Sequence, residues 1–364
     1  MRSKILLAGP TALYAPIYLA KQLTLSKEFA HIDFEYPDHP KPESDNKADE
    51  LVDQLFYPYK KTNVIMAVAD PMRVAFESFD NYDNKPKVIH TLINKMCYWA
   101  IAQYPEDKLE MINKNYKIIV HPRGMTGHTL VLYDLINMFP DLEKKDNSSD
   151  RNIINDLLYH KIYPGEEGKF YRASSLYKIN NRNVGYVTTE PYDILDIAQK
   201  NTNNKMDKKS FIHFKNNGEK VYCNAVMTSL ITSDDCLNDP IRKEILKDLI
   251  LGIKEAIKFI YKEPKIASEI LYNYDDTNHN FSRNKVRFAP KAFGWTESMM
   301  QMLFETILAK EKIYPSDLTI VDAEIDKSKN FWKKRFEFEG ESKMLDKLTD
   351  FDSYIKKDWD KKNG

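Results

Sequence analysis

Cysteine is scarce in this chain: Cys97, Cys223 and Cys236 are the three in 364 residues. They form no Cys-x-x-Cys pair and no His pair completes a zinc pattern, so no structural metal is expected and at most one disulfide could form. Net charge is missing too. The 54 basic residues balance 54 acidic ones, and no basic cluster is interleaved with aromatics. Neither nucleic acid nor an anionic membrane surface is therefore expected as a partner. No apolar stretch reaches the length of a transmembrane helix, which argues against direct membrane insertion. The start, Met1 to Pro10, has basic residues and a short apolar run, but Gly9-Pro10 cuts that run below the length of a signal h-region. As written the chain reads as cytoplasmic; a leader missing from this start would make it periplasmic or cell-surface. Catalytic signatures are also absent: no Gly-x-Ser-x-Gly elbow, no His-Glu-x-x-His, no P-loop Gly-Lys-Ser/Thr and no Gly-x-Gly-x-x-Gly. No catalytic residue is nominated, no cofactor is implied, and no repeat or coiled-coil heptad is found.

What remains is ordinary globular material, 42% hydrophobic and 30% charged, in a chain long enough for two lobes. Its 22 Tyr and 18 Phe can line a pocket as well as fill cores. Apolar runs alternate with helical spacing. Lys4–Ala8 reads as a strand and Ala15–Leu25 as a helix with Ile17, Leu19, Ala20 and Leu23 inward. Ile32–Tyr36 and Asn63–Ala69 are strands, with a helix over Ala48–Tyr57 between them. Met96–Ala102, Val184–Thr188 and Val221–Leu230 are further strand candidates; helices are expected near Asn152–His160 and over Tyr192–Gln199. Asp239-Pro240 starts a strong helix, because Asp caps and Pro at the first helical position is pre-organised. Ile245, Leu246, Leu249, Ile253, Ala256, Ile257 and Ile260 give it an apolar stripe. Lys265–Tyr272 and Trp295–Lys310 are also helical, Met299 and Met302 reading as core. Strands as continuous apolar runs between helices argue for an α/β fold with mainly parallel sheets.

The chemistry-bearing stretch is Lys117 to Leu130, an apolar run leading through a Pro/Gly turn into a helical pattern. Gly124 and Gly127 let the backbone approach a ligand closely, and the unpaired N–H groups at the helix start favour an anion. Arg123, Thr126, His128 and Thr129 add polar side chains, while the local reading is an ordinary capped βα turn. His121 and His128 could serve as acid/base groups, though a His at a turn more often bonds locally. Pro10, Thr11 and Tyr14 in the turn after the first strand share this character. So do Asp70 after the third, and Thr188 with Glu190 after another apolar strand. For Asp70 and Glu190 the alternative is a helix cap. Tyr14, Tyr18 and Trp99 could stack on a ligand, but aromatics at such spacing are more often core. In open α/β sheets ligands bind beyond the carboxyl ends of the strands, and four such turns, two per lobe, describe a cleft.

Ile5 to Ala8 with Tyr14-Ala15-Pro16-Ile17-Tyr18-Leu19-Ala20-Lys21 resembles the opening of the NMT1/THI5-like substrate-binding proteins. These are relatives of the sulfonate, nitrate and thiamine-precursor binding proteins of ABC importers. Asn63–Pro71, His121-Pro122-x-Gly124-Met125-Thr126-Gly127 and Val187-Thr188-x-Glu190-Pro191 follow in the expected order, over roughly residues 4–325. The sequence departs from the pattern at Leu23 to Phe29, where the usual Gly-Tyr-Phe is missing, and in its lack of an export signal. The resemblance implies a two-lobed type II periplasmic-binding-protein fold with a mainly parallel sheet in each lobe and a hinge between them. Residues 1–104 plus 221–330 would form lobe 1 and 105–220 lobe 2, with 331–364 a charged tail read as a peripheral helix. A monomer clamping a small anionic or heteroaromatic metabolite is expected, with an ABC permease as the implied partner. The same fold in a cytoplasmic enzyme acting on a pyrimidine- or thiamine-precursor-like metabolite is the alternative.

Overall fold

The computed structural model describes residues 2–36, 63–72, 85–95, 99–101, 117–120, 126, 129–130, 132–133, 136, 158–160, 184–188, 211–212, 224–275, 288–292 and 294–360. The expected helices over Ala48–Tyr57 and Tyr192–Gln199 lie outside these residues. The chain divides into two compact units. Unit 1 holds Met1–Met96, Asn224–Lys329 and Asp346–Gly364; unit 2 holds Cys97–Cys223 and Asn330–Leu345.

Unit 1 is built on a five-stranded sheet of order β2-β1-β3-β10-β4. Its strands are β1 (Lys4–Leu7), β2 (Asp33–Glu35), β3 (Val64–Ala69), β4 (Pro86–Lys95) and, returning late in the chain, β10 (Asn224–Ser233). β1 runs parallel to β2 and β3, Ile5 facing Phe34 and Leu7 facing Val68. β10 runs antiparallel to both β3 and β4, with Ser229 opposite Ala69 and Leu230 opposite His90. Ile5, Leu6 and Leu7 are completely buried on successive positions, as expected where helices cover both faces of a sheet. The covering elements include α1 (Ala15–Gln22), the long α3 (Pro240–Lys262) and α4 (Pro264–Tyr272), with α2 (Asp234–Asn238) closing the turn after β10. α3 starts where the sequence says it should: the Asp239 side chain accepts from Ile241 and Arg242 N–H, and Pro240 occupies the first turn. Leu246, Leu249, Ile253, Ala256, Ile257 and Ile260 of its stripe are buried, and Ile245 is half-buried.

Unit 2 repeats that order with different strands. β5 (Trp99–Ile101), β6 (Lys117–Val120), β7 (Leu158–His160), β8 (Val184–Thr188) and β9 (Phe211–Ile212) form a sheet of order β7-β6-β8-β5-β9. β6 is parallel to β7 and β8, and β5 is antiparallel to β8 and β9. Each sheet thus has its antiparallel strand in the fourth place.

Two readings from sequence are corrected, and one strand is found that sequence did not indicate. Of the helix expected near Asn152–His160 the described part, Leu158–His160, is a strand, because pairing with β6 outweighs the helical spacing of its apolar residues. Strand β4 carries no clean alternation, since His90, Thr91 and Asn94 interrupt it, and it escapes recognition from sequence. Met302, read as core, is 41% exposed, whereas Met299 is buried. The Trp295–Lys310 stretch is helical in two styles: α5 (Glu297–Met302), then a π-helical segment over Leu303–Ala309.

The outer edge of β4 is covered rather than left open to pairing. Thr91 N–H donates to Leu318 O at 3.1 Å and Asn94 N–H to Ile313 O at 3.2 Å. Leu318 sits at φ 60 and its carbonyl also lies 3.1 Å from His90 Nδ1. Farther along, Ile355 bridges Val88, and Lys356 N–H donates to Val88 O at 2.9 Å. The segment beyond Val321 comprises α6 (Asp322–Glu339), α7 (Ser342–Thr349) and a 3-10 turn at Phe351–Tyr354. It buries Phe331, Trp332, Phe336, Leu348, Phe351, Tyr354 and Trp359 despite its charge.

Candidate functional site

In unit 1 the turns after β1 and β3 lie at the same end of neighbouring parallel strands, since Ala8 N–H donates to Val68 O at 3.1 Å. The space around the Gly9 Cα is open: an added Cβ would meet nothing within 4 Å. Thr11 caps a short 3-10 turn, Ala12–Tyr14, its hydroxyl oxygen accepting from Leu13 N–H at 3.1 Å. Pro10 and Thr11 are half-buried, so part of each remains open to a ligand. Tyr14 is buried and flanks the start of α1. Asp70 is half-buried, and one of its oxygens accepts from Met72 N–H at 2.9 Å. The capping role foreseen for Asp70 is therefore occupied by at least one carboxylate oxygen.

Behind this end the turn is anchored deeply. Tyr314, itself buried, donates its hydroxyl to Leu13 O at 2.9 Å. Tyr261 holds Tyr314 at both backbone groups, donating to its carbonyl at 2.6 Å and accepting from its N–H at 3.0 Å. Burial pushes the Tyr261 hydroxyl well above the usual tyrosine range. Tyr18 belongs to the core: its ring stacks on Phe288 at 4.3 Å and meets Phe34 edge-on at 5.7 Å. Burial, first of all, keeps its hydroxyl protonated far above its ordinary value. Two further hydroxyls that sequence reading passed over lie here. Ser229, opposite the last residue of β3, and Thr91, opposite Ser229, are fully buried, and neither hydroxyl has a hydrogen-bond partner among the described residues. The cue available in sequence was the polar Thr228-Ser229 pair inside an apolar strand.

In unit 2, β6 and β8 are parallel neighbours, with Ile118 facing Gly185. The carboxyl ends of β6 at Val120 and of β8 at Thr188 accordingly lie at one end of the sheet. Thr126 and Thr129 are already helical, Thr126 half-buried and Thr129 buried, so the helix begins earlier than the apolar pattern from Leu130 indicates. Arg123, Gly124, Gly127, His128 and Glu190 lie outside the described residues. Among the described residues no group of three or more His, Cys, Asp or Glu side chains comes together to hold a metal ion. None of the described helices is long and apolar enough to cross a membrane.

A polar cleft of about 610 Å³ occurs elsewhere in unit 1, lined by Leu237, Lys243, Asp322, Lys356 and Trp359 among others. It includes none of the turns after β1 and β3. Two of its carboxylates are already engaged, Asp322 by Lys357 and Asp352 by Lys329.

No protein-family profile and no curated protein sequence matches the chain. Solved structures do. The Candida albicans CA3427 gene product, described as defining a new family with the generic periplasmic binding protein fold, is 14% identical with a TM-score of 0.52. That alignment covers 98% of this chain and 96% of the other. The fold is that of the periplasmic binding proteins. The periplasmic nitrate-binding protein NrtA from Synechocystis PCC 6803 shares this fold at 11% identity and a TM-score of 0.57, over 98% of this chain and 86% of that one. A desulfurization enzyme, DSZB, matches at 8% identity and a TM-score of 0.51, over 98% and 97%. The periplasmic-binding-protein fold here therefore has both a solute binder and an enzyme among its neighbours.

Proposed function

We propose that the chain is a solute-binding protein that takes a small anionic or heteroaromatic metabolite between its two units, in the manner of ABC-import substrate-binding proteins. The observation that supports this most is the repeated sheet order. It gives each unit a pair of parallel strands, β1/β3 and β6/β8, whose carboxyl ends lead into polar sequence, the arrangement in which open α/β sheets receive ligands. Pro10, Thr11, Tyr14 and Asp70 would contact the ligand from unit 1. Arg123, Gly124, Thr126, Gly127, His128, Thr129, Thr188 and Glu190 would contact it from unit 2. A helix start rich in N–H donors suits an anion, and nitrate is what a neighbour of the same fold binds. Membership of the NMT1/THI5-like group extends this reading to sulfonates and thiamine-precursor pyrimidines. It also implies hinge closure on the ligand, a permease partner and a periplasmic or cell-surface location.

Thermal unfolding with a panel of nitrate, alkanesulfonates, aminopyrimidines and flavins tests it. A true ligand at a hundredfold excess over its Kd adds about 2.7 kcal/mol and raises Tm accordingly. A folded protein that none of these classes stabilises would overturn the reading.

The second reading, a cytoplasmic enzyme, is favoured by one finding, the fold shared with a desulfurization enzyme. Incubation with each stabilising compound followed by mass spectrometry separates the two. Unchanged recovery supports binding alone, and a converted product supports catalysis.

A further inference from the structure

The chain passes between its units at Met96/Cys97, Cys223/Asn224, Lys329/Asn330 and Leu345/Asp346. The first three crossings are tied together by one buried polar cluster inside unit 1. Asn94, just before the first crossing, donates its Nδ2–H to Glu324 Oε1 at 2.9 Å. Ser328, on the turn of α6 after Glu324 and beside the third crossing, donates to Val226 O at 2.9 Å, just after the second. Its hydroxyl also lies 3.1 Å from Glu324 O. Glu324 is 7% exposed and Ser328 2%.

The cluster is unbalanced as it stands. Asn94 Oδ1 and Glu324 Oε2 are both buried, and neither has a hydrogen-bond partner among the described residues. Both are acceptors if Glu324 is ionised, so each would be desolvated without compensation, at a cost typical of an unmet buried polar group. A single proton on Oε2 changes the inventory: the carboxylic acid becomes a donor as well as an acceptor. An acid and a primary amide can then pair twice, N–H to one oxygen and O–H to the other. The two unmatched atoms are the two that such a proton joins.

We propose that Asn94 and Glu324 form a proton-loaded clasp at the root of the crossings, with the Glu324 acid proton donated to Asn94 Oδ1, and that losing this proton loosens the crossing segments. The surroundings agree. Burial, the largest influence, raises the Glu324 carboxyl above its ordinary range, against the Asn94 hydrogen bond and the charge of Lys327, which both lower it. On the unit 1 part of its own helix the other charged groups are Asp322, Asp326 and Lys329. From β4 the cation next to Asn94 in sequence is Lys95, whose ammonium reaches the Glu311 carbonyl. The segment between the π-helix and α6 brings Lys310, Glu311, Lys312 and Asp317, and β10 has no charged residue at all. The clasp operates with or without a bound ligand, so it stands apart from the proposed solute.

Because the folded carboxyl is raised, the folded protein holds a proton that the unfolded chain has released above about pH 4.3. Stability from the clasp is complete below that pH and is lost as pH rises toward the folded value. The folding equilibrium moves by up to about tenfold per pH unit in this window. Glu324→Gln keeps the shape and the donor of the acid and cannot ionise. Denaturant unfolding of both proteins from about pH 4.5 to 7.5 should show wild type losing stability relative to Glu324→Gln as pH rises. Amide exchange near Asn94 and Val226, compared at equal pH, should quicken in wild type alone. Parallel stability curves and equal exchange would overturn the clasp. If the Gln variant does not fold, carbon NMR of the glutamate carboxyls in the wild-type protein decides. One carboxyl that titrates above the ordinary glutamate range supports the proposal, and titration of all of them within that range overturns it.

Discussion

Acidification should detach the C-terminal segment from the outer edge of β4, and the group responsible is His90. Its Nδ1 lies 3.1 Å from Leu318 O. A carbonyl can only accept, so Nδ1 carries the hydrogen and Nε2 is left to accept from Trp359 Nε1–H at 3.4 Å. The indole meets the imidazole edge-on at 5.9 Å. This pairing requires a neutral ring, because a protonated Nε2 would point a second donor at a donor. Burial, with a smaller contribution from Lys254, lowers the His90 pKa to about 4; the Leu318 hydrogen bond and Asp360 and Asp317 act the other way. The unfolded chain takes its proton near about pH 6.5. Between these values the unfolded state binds a proton that the folded state refuses, so stability is full above about pH 6.5 and falls as pH drops toward 4. The slope approaches about 1.4 kcal/mol per pH unit, and the whole effect is about 3 kcal/mol. Other carboxylates also titrate on the acid side, so the measurement must be a difference. Urea unfolding of wild type and His90→Gln at several pH values, subtracted point by point, isolates the histidine. The difference should change by about two to three kcal/mol between about pH 6.5 and 4. A flat difference would refute the buried neutral His90 and the indole contact argued from it.

Gly252→Ala should destabilise unit 1 by about 1 to 3 kcal/mol. A Cβ there meets two Phe29 ring carbons at 2.9 Å, and that ring is fully buried; the shift in denaturation midpoint checks it. Tyr314→Phe removes the hydroxyl that holds Leu13 O and should cost about 1 kcal/mol. It should also speed amide exchange in the Thr11–Tyr14 turn while leaving α3 protected.

How much of this was legible depended on where each residue's partner lies. Asp239-Pro240 announces α3 because cap, first turn and apolar stripe are all local. β1 and β3 are legible for the same reason, as unbroken apolar runs buried on both faces. β4 is not, since its polar His90 and Asn94 are explained by Trp359, Leu318 and Glu324, more than two hundred positions along the chain. The segment beyond Phe331 reads as a charged periphery, yet Trp332, Phe336, Phe351 and Trp359 are buried. Their spacing is masked by the Lys and Glu around them, which keep their charged ends at the surface. For the candidate site, sequence marked Thr11 and Asp70 as polar turns after apolar strands. It left open whether Asp70 caps a helix, and the bond from Met72 N–H answers that for one oxygen. Ser229 was passed over, because a hydroxyl inside a strand shows its lack of a partner only once its neighbours are placed.

The place of β10 has a consequence for synthesis. β3 and β4 do not pair with each other; β10 lies between them and pairs with both. As the chain emerges, β1, β2 and β3 can assemble at once, but β4 has no sheet to join until β10 follows, after all the described strands of unit 2. Until then the open side of β3 offers unpaired backbone groups to any passing strand. Closing the sheet requires a contact between distant parts of the chain, a slow step by the usual dependence of rate on sequence separation. The nascent protein is therefore most exposed to misassembly while unit 2 is being made, and a release truncated before Asn224 would leave the first unit unfinished rather than merely shortened.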